Sequence, residues 1–418
     1  MHGAAINNER VIMNLSTSKN QSVQPFAGKD AADVPSHTST TLRRLLSLRE
    51  MGVYYALIVL VVVLSVVTAY TGRANYLTLA NITNVFYQSS LVAMMAVAMT
   101  VILITGNFDL SVASVAALSA AVLVGAADSM GFWPAACMAV VVAMLVGVLN
   151  GAIVQFLGIN AFIVTLGTLT AIRGVVQIVT DGRSLSVSDS DALATMQAFE
   201  SGRVHIALPL LVIGALLILG GMSSVSRARR AGRSIASPVG AISGGMALIG
   251  ISWLGGAQLT VQKPVIYMAV FTAIVWAVLT FTTTGRRVYA VGGNPEAARL
   301  SGINVKLYKM AAFVLCSGVA GFGGVLFGSR LGAINPTAMQ GQELAVIASA
   351  ILGGTSLYGG SGSVVKTLAG ALLLVTLANG FNILNLGANY QGVIEGTVIV
   401  VAAAIYTVGG SRRRGKAH

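Results

Sequence analysis

Long apolar stretches follow one another through most of this sequence, separated by short polar segments. A helix needs about 20 apolar residues to cross the hydrocarbon core of a bilayer, and most of these stretches reach or approach that length. Hydrophobic residues make up 55% of the 418 residues and charged residues only 9%. A soluble domain cannot bury so much apolar surface. The sequence therefore predicts an all-α, polytopic transmembrane helical bundle.

The apolar stretches predict about 12 spans. A count of 10 or 11 with re-entrant pieces stays open, because several stretches, notably 341–356, are short for a bilayer. The predicted spans are 53–70, 84–105, 109–127, 132–156, 160–180, 206–222, 239–256, 264–283, 309–328, 341–356, 364–384 and 391–408.

The charged residues predict the side of the membrane on which each loop lies. Loop 223–238 carries four arginines and is expected in the cytoplasm, whereas loop 181–205 carries more acids than bases and is expected outside it. With 12 spans, both termini are cytoplasmic. The chain then divides into a disordered cytoplasmic tail (1–50), a membrane domain (51–410) and a basic cytoplasmic tail (411–418).

Several classes of site are not indicated by the sequence. Cys137 and Cys316 lie in apolar segments and are interpreted as core residues rather than a disulfide or a metal pair. The four histidines stand far apart, which argues against a histidine-based metal site. No catalytic residue, metal or cofactor is predicted. The net charge of +13 comes from bases concentrated at span ends, as topology requires, so nucleic acid is not an expected partner.

The segment 285–308 is the longest polar interruption in the second half of the chain, and its bases indicate a cytoplasmic position. Asn294 is suited to cap a short helix, Pro295 to begin it and Gly302 to end it. Glu296 in the first turn favours the helix dipole. This helix is either a part gripped by a soluble partner or a capped connection between spans. Its residues and ends are Asn294, Pro295, Glu296, Ala297, Ala298, Arg299 and Gly302.

Three motifs in this order carry a resemblance to a known family. They are GNFDLSV at 106–112, GRRVYAVGGNPEAARLSGI at 285–303 and GGTSLYGGSGS at 353–363. Together they resemble the permease subunits of bacterial monosaccharide ABC importers of the ribose, xylose and arabinose type, over about residues 50–408. Segment 285–308 is similar to the coupling loop of that family.

The resemblance implies a permease domain at 51–410 that works in the bacterial inner membrane as a homodimer among lipids. It also implies a separate ABC ATPase subunit, a periplasmic sugar-binding protein and a monosaccharide substrate. Two spans, 239–256 and 264–283, stand where shorter members have one, and the xylose-type branch carries a similar insertion. A pentose such as xylose is therefore the expected sugar.

Asp109 is an acid at bilayer depth, where an ionised group is costly and often functional. The alternative is that it stabilises the start of the small-residue helix that follows, with the help of Ser111. The residues favour this structural role, as a break that shapes a translocation path.

A polar stripe on the span 160–180 is a second candidate for the path. Thr170, Arg173 and Gln177 share one helical face and are expected to face protein or a water-filled passage. Alternatively, Arg173 reaches the outer headgroups or forms a structural pair. Further neutral candidates, which suit weak binding of sugar hydroxyls, are Asn150, Asn160 and Asn379.

The competing hypothesis is an ion-coupled secondary carrier or channel for a small polar solute. Such proteins usually need buried carboxylates with partners, and few ionisable residues lie within the predicted spans. Asp109 keeps this hypothesis open. A nucleotide site at 360–367 is rejected, because Val365 stands where a phosphate loop needs glycine. No enzyme chemistry is predicted, and the energy for transport would come from outside the chain.

Overall fold

The structure is a computed structural model that describes residues 48–72, 75–230 and 236–385, together with residues 392, 393, 396 and 397. Most of the predicted N-terminal tail, most of the predicted span 391–408 and the whole predicted tail 411–418 lie outside the described residues.

Within the described residues the fold is helical, as predicted, with 14 α-helices and four very short strands. Ten helices are long and apolar enough to cross a membrane. The helices are α1 Leu48–Tyr70, α2 Leu79–Ile104, α3 Val112–Met130, α4 Phe132–Ala152, α5 Ala161–Val179, α6 Ser190–Glu200, α7 Ala207–Arg230, α8 Ala236–Gly255, α9 Lys263–Phe281, α10 Thr283–Gly293, α11 Pro295–Leu300, α12 Val305–Leu331, α13 Gln342–Leu352 and α14 Val364–Leu384. A π-helical turn, Ile153–Leu157, extends α4.

Two antiparallel strand pairs lie on one face of the bundle. Strand β1 (Leu185–Ser186) pairs with β4 (Ala333–Ile334), and β2 (Arg203–His205) pairs with β3 (Thr260–Gln262). On the other face, the backbone N–H of Gly360 donates to the carbonyl of Ile104 (2.9 Å). We call this second face the basic face, since the segment 282–309 with its arginines and lysines lies there, and we call the first the opposite face.

The segment predicted as a marginal span at 341–356 is a shorter helix. The 11 residues of α13 extend only about 16 Å, roughly half of the hydrocarbon core. Yet the chain before α13 lies at strand β4 on the opposite face, and the chain after it reaches Ile104 on the basic face. Residues 335–352 therefore form a broken crossing, which is part irregular chain and part helix.

Helices α2, α3 and α12 form the centre of the bundle and are the most deeply buried of the long helices, together with α14. Glycines of α12 allow this close packing: a Cβ at Gly324 would overlap the carbonyl oxygen of Ala116. Ser119 donates to the carbonyl of Gly321 (2.7 Å). The small residues at 113–121 of α3 let the two backbones approach closely.

Helices α7 and α8 form a peripheral hairpin. They pack on each other through Gly214, Gly221 and Gly245, while their outer faces are apolar and exposed. Helix α9, by contrast, packs on α2. The pair of helices that stands apart from the core is therefore α7 and α8. The predicted pair of inserted spans, 239–256 and 264–283, corresponds instead to α8 and α9.

A buried ion pair stabilises the opposite face, and the sequence did not indicate it. Glu200, at the end of α6, is fully buried and accepts from Nε of Arg330 (2.7 Å), the Tyr87 hydroxyl (2.8 Å) and the Ser201 hydroxyl (2.9 Å). Arg330 also lies over the Tyr87 ring, 4.1 Å from its centroid. These residues are far apart in sequence, so only the fold brings them together; they fasten α6 to α2 and α12.

Candidate functional site: the coupling helix, its glycine junction and the broken crossing

The short helix predicted around Asn294 is present as α11. The Asn294 side chain accepts from the Ala297 N–H (3.0 Å), and Pro295 occupies the first turn. Gly302 follows the helix with φ +78°, a left-handed conformation that favours glycine. Sequence reasoning therefore placed both ends of this helix correctly.

The surface of α11 is charged and open. Glu296 and Arg299 form an ion pair (2.7 Å) with side chains 66% and 70% exposed, and Leu300 is 81% exposed. Ala298 is buried and faces the protein. An exposed pair of this kind adds little stability, so these side chains are free to contact another protein.

Helix α10 was not predicted, because segment 285–308 was interpreted as a loop around one short helix. Thr282 caps α10 by accepting from the Gly285 N–H (3.2 Å). Its buried residues Val288, Val291 and Gly292 face the bundle, and its arginines face outwards. The segment thus consists of α10, α11 and the start of α12.

Five glycines from the three sequence motifs meet on the basic face, and we call this contact the glycine junction: Gly106, Gly292, Gly293, Gly359 and Gly360. A Cβ at Gly292 would overlap the Ile104 carbonyl oxygen, and a Cβ at Gly359 would lie 2.7 Å from the Gly292 oxygen and 3.0 Å from the Gly106 Cα. Backbones can approach this closely only where side chains are absent.

A side-chain contact reinforces the glycine junction. The Tyr289 hydroxyl of α10 donates to the Gly362 carbonyl (2.9 Å). The end of α10 therefore contacts both the end of α2 at Ile104 and the loop 353–363, which connects α13 to α14. The three motifs, widely separated in sequence, form one contact region next to the exposed helix α11.

Asp109 belongs to a buried polar network rather than to an open passage. Its Oδ1 accepts from the N–H and the hydroxyl of Ser111. The Asn150 side chain donates to the Ser111 hydroxyl (3.0 Å), and Thr168 donates to Asn150 (2.6 Å). This network ties α3, α4 and α5 together near the basic face, in keeping with the structural role favoured for Asp109.

The second carboxylate oxygen of Asp109 has no hydrogen-bond partner among the described residues. Burial raises the pKa of Asp109 above its ordinary value, and the hydrogen bonds from Ser111 only partly oppose this. A raised native pKa favours the protonated acid. Stability should therefore fall as pH rises from the ordinary pKa of an aspartate through the raised one.

We expect Asp109→Asn to fold and transport like the wild type, since it keeps the acceptor for Ser111 and removes the charge. Asp109→Ala should destabilise the protein by about 1–3 kcal/mol, because buried Ser111 groups lose their acceptor. Thermal unfolding in detergent between about pH 4 and 8 measures both effects, and the wild type should lose stability relative to Asp109→Asn as pH rises. An asparagine variant as impaired as the alanine variant would show that the charge is required.

The other predicted path residues have protein partners or lie on an exposed helix face. Asn160 caps α5 by accepting from the Phe162 N–H (2.9 Å), and Asn379 donates to the Asn81 side chain (3.1 Å). Thr170 and Gln177 are exposed on one face of α5, as their spacing predicted.

Arg173 differs from its neighbours on the predicted stripe, because it contacts the broken crossing. Its Nη1 donates to the carbonyl of Ala338 (2.6 Å), and its Nη2 lies 3.9 Å from Oε2 of Glu343 in the first turn of α13. Irregular backbone at membrane depth needs hydrogen-bond partners from the protein. The arginine supplies one, and the pair links α5 to α13.

A cavity of about 330 Å³ lies between α2, α9 and α12. Its lining includes Met94, Phe271, Val319 and Phe322 and is almost wholly apolar. A polar solute would find few hydrogen-bond partners there, so we do not place the solute in this cavity.

The family model described as branched-chain amino acid transport system, permease component, matches residues 81–403. The ribose import permease protein RbsC of Escherichia coli K12 is 34% identical over 354 residues, which cover 84% of this chain and 92% of that protein. The xylose transport system permease protein XylH of the same strain is 31% identical over 359 residues, covering 83% and 90%.

XylH of Haemophilus influenzae is 31% identical over 372 residues, covering 86% of this chain and 96% of that protein. No solved structure matches the chain. The family model extends through the three motifs and nine of the ten spanning helices, because Met51–Tyr70 lies before residue 81. The chain therefore belongs to this family of transport permeases, the membrane-spanning subunits of bacterial inner-membrane ABC importers, in which a separate subunit hydrolyses ATP.

Proposed function

We propose that this chain is the permease of an ATP-driven importer that carries a monosaccharide, and specifically a pentose such as xylose, into the cell. The observation that carries the proposal is the exposed helix α11, which is joined through α10 and the glycine junction to residues 359–362 of the loop that follows the broken crossing. The relatives named for ribose and xylose support the class of solute.

The ATPase would grip α11 on the basic face, which we place in the cytoplasm. Glu296 and Arg299 offer polar contacts, and the remaining exposed surface is apolar at Leu300. Movement of α11 would pass through α10, since the two helices meet at Asn294, and then through the glycine junction into the loop 353–363. Force from outside the chain would thereby reach the broken crossing.

The passage would lie between two copies of the chain. Thr170 and Gln177 of α5 are exposed at membrane depth, and so are Thr337 and Gln340 of the broken crossing. Polar surface at that depth faces protein or water rather than lipid. A second copy placed against α5 would cover this surface. Arg173 would then stand at the passage, while Asp109 and Asn150 hold α5 to α3 and α4 through Ser111 and Thr168.

The periplasmic sugar-binding protein would dock on the opposite face, at loops 71–83, 181–205 and 329–340. The Glu200–Arg330 pair makes part of this face rigid, so docking would meet a preformed surface. The third of these loops, 329–340, contains Arg330 and leads directly into the broken crossing.

A secondary carrier remains the alternative, and Asp109 is the observation in its favour. A buried carboxylate with a free oxygen and a raised pKa could carry a proton. This alternative predicts transport by the chain alone under an ion gradient, and Asp109→Asn should then abolish it.

Purification of the tagged chain from cells that express its own gene cluster tests the proposal. We expect an ATPase with two fused nucleotide-binding halves and a second, differently tagged copy of the chain to co-purify. The ATPase activity of this complex should rise when a sugar-loaded binding protein is added. Purification of the chain without any ATPase would contradict the proposal.

A further inference from the structure

We propose that Arg173 and Glu343 form a binding site for one hydroxyl group of the transported sugar. This inference rests on the proposed function, since it assigns a solute contact to the same passage. The two side chains come from different elements, α5 and the first turn of α13, and are 16% and 15% exposed. They meet where the broken crossing changes from irregular chain to helix.

The pair has unused hydrogen-bonding capacity. Nη2 of Arg173 and Oε2 of Glu343 are 3.9 Å apart, beyond the range of about 2.7–3.2 Å for a hydrogen bond. Both atoms are buried, and neither has a hydrogen-bond partner among the described residues. A buried donor and a buried acceptor left unmatched are unfavourable. The site is therefore completed only by a third group.

A hydroxyl group matches this site better than other solute groups. It can accept from Nη2 and donate to Oε2 at the same time. An oxygen about 2.8 Å from each atom fits a separation of 3.9 Å, because the three atoms then form a bent arrangement. The charges stay paired, since the hydroxyl is neutral.

Amino acids and simple ions fit the site less well. The carboxylate and the ammonium group of an amino acid would each compete for one member of the pair and force the two side chains apart. A free cation would be attracted by Glu343 and repelled by Arg173, and a free anion the reverse, so neither ion gains a net charge interaction. A polyhydroxylated, uncharged solute is therefore the class that this pair selects.

The second contact of Arg173 gives the site a means of opening. Nη1 is held by the Ala338 carbonyl (2.6 Å), so the guanidinium group follows the irregular half of the broken crossing, whereas Glu343 follows α13. Thr337 and Gln340 are exposed beside it. A shift of α13 relative to the irregular segment would widen the pair and admit the hydroxyl.

Saturation-transfer NMR tests the inference on the wild-type chain in nanodiscs with its ATPase, without the binding protein. Ribose and xylose should receive saturation at millimolar concentrations, and leucine should not. Glu343→Gln replaces the carboxylate by an amide. Arg173→Lys keeps the positive charge but loses the planar guanidinium group with its two Nη donors. Both should weaken sugar binding about tenfold. Arg227→Gln removes an exposed arginine of the peripheral hairpin, which donates to the Ser223 carbonyl of its own helix (3.3 Å), and should change nothing.

Each outcome decides a different claim. Sugar binding that is equal in the wild type and in both variants would overturn the inference, as would saturation of leucine or no sugar signal in the wild type. If Glu343→Gln fails to fold, the sugar affinity of Arg173→Lys tests the inference, because this variant still places a positive charge beside Glu343. A purely structural pair would lower the thermal stability of the variants and leave their sugar affinity unchanged. Absence of the ATPase from the purified complex would instead contradict the proposed function.

Discussion

Glu296→Arg together with Gly302→Val should abolish sugar uptake and ATPase association, while the protein still inserts into the membrane. Arginine at position 296 replaces the acid that pairs with Arg299 and places a positive charge at the positive end of the α11 dipole. Valine at position 302 must adopt φ near +78°, which costs a β-branched residue roughly 1–2 kcal/mol or more. The end of the helix would rearrange, and the ATPase would lose its contact.

A matched control separates loss of the contact from general strain. Gly158 also ends a helical segment with positive φ (+71°) on the basic face, and a Cβ there would meet no atom within 4 Å, as at Gly302. Gly158→Val should therefore insert, bind the ATPase and support uptake. Co-purification, membrane insertion and uptake are measured for each variant. Normal uptake by the Glu296→Arg, Gly302→Val protein would show that α11 does not couple the chain to the ATPase.

Gly292→Ala should prevent stable folding or eliminate uptake, although the change adds only one methyl group. That methyl group would overlap the carbonyl oxygen of Ile104, and the backbone N–H of Gly360 lies only 2.8 Å away. Neither backbone can yield without opening the glycine junction. We expect a loss of about 3 kcal/mol in stability, measured by thermal unfolding in detergent, together with loss of uptake.

The next residue provides the control for this change. A Cβ at Gly293 would meet only the Gly360 Cα at 3.9 Å, which is ordinary contact. Gly293→Ala should therefore fold and transport normally, and alanine even favours the helix. Equal effects of the two substitutions would mean that general flexibility of α10, rather than close contact at the glycine junction, explains the glycines.

Local chemistry explains which features the sequence could predict. The ends of α11 depend on neighbouring residues, a side-chain cap at Asn294 and a left-handed Gly302, and both were correctly inferred. The long spans depend on hydropathy, which is also local. Segment 341–356 was predicted as a marginal span, and it contains only the 11-residue helix α13. The irregular part of this crossing lies before the segment, where the Ala338 carbonyl is held by Arg173 of another helix.

The remaining features depend on contacts between distant segments. Nothing in the sequence distinguishes Gly292 from Gly293. In the fold, however, Gly292 lies against the Ile104 carbonyl and Gly293 does not. Glu343 stood alone in the sequence and pairs with Arg173 in the fold. Asn160 and Asn379 were predicted from their polarity, but one caps a helix and the other pairs with Asn81. Polarity at membrane depth indicates a partner without showing whether that partner is solute or protein.

The central claim is that this chain is a gate that a separate ATPase moves, and accumulation of sugar in liposomes tests it most directly. Liposomes that contain only this chain should equilibrate sugar at most and should never accumulate it against a gradient, with or without an ion gradient. Addition of the ATPase, the sugar-binding protein and ATP should produce uphill accumulation of xylose or ribose. Uphill accumulation by the chain alone would contradict the account.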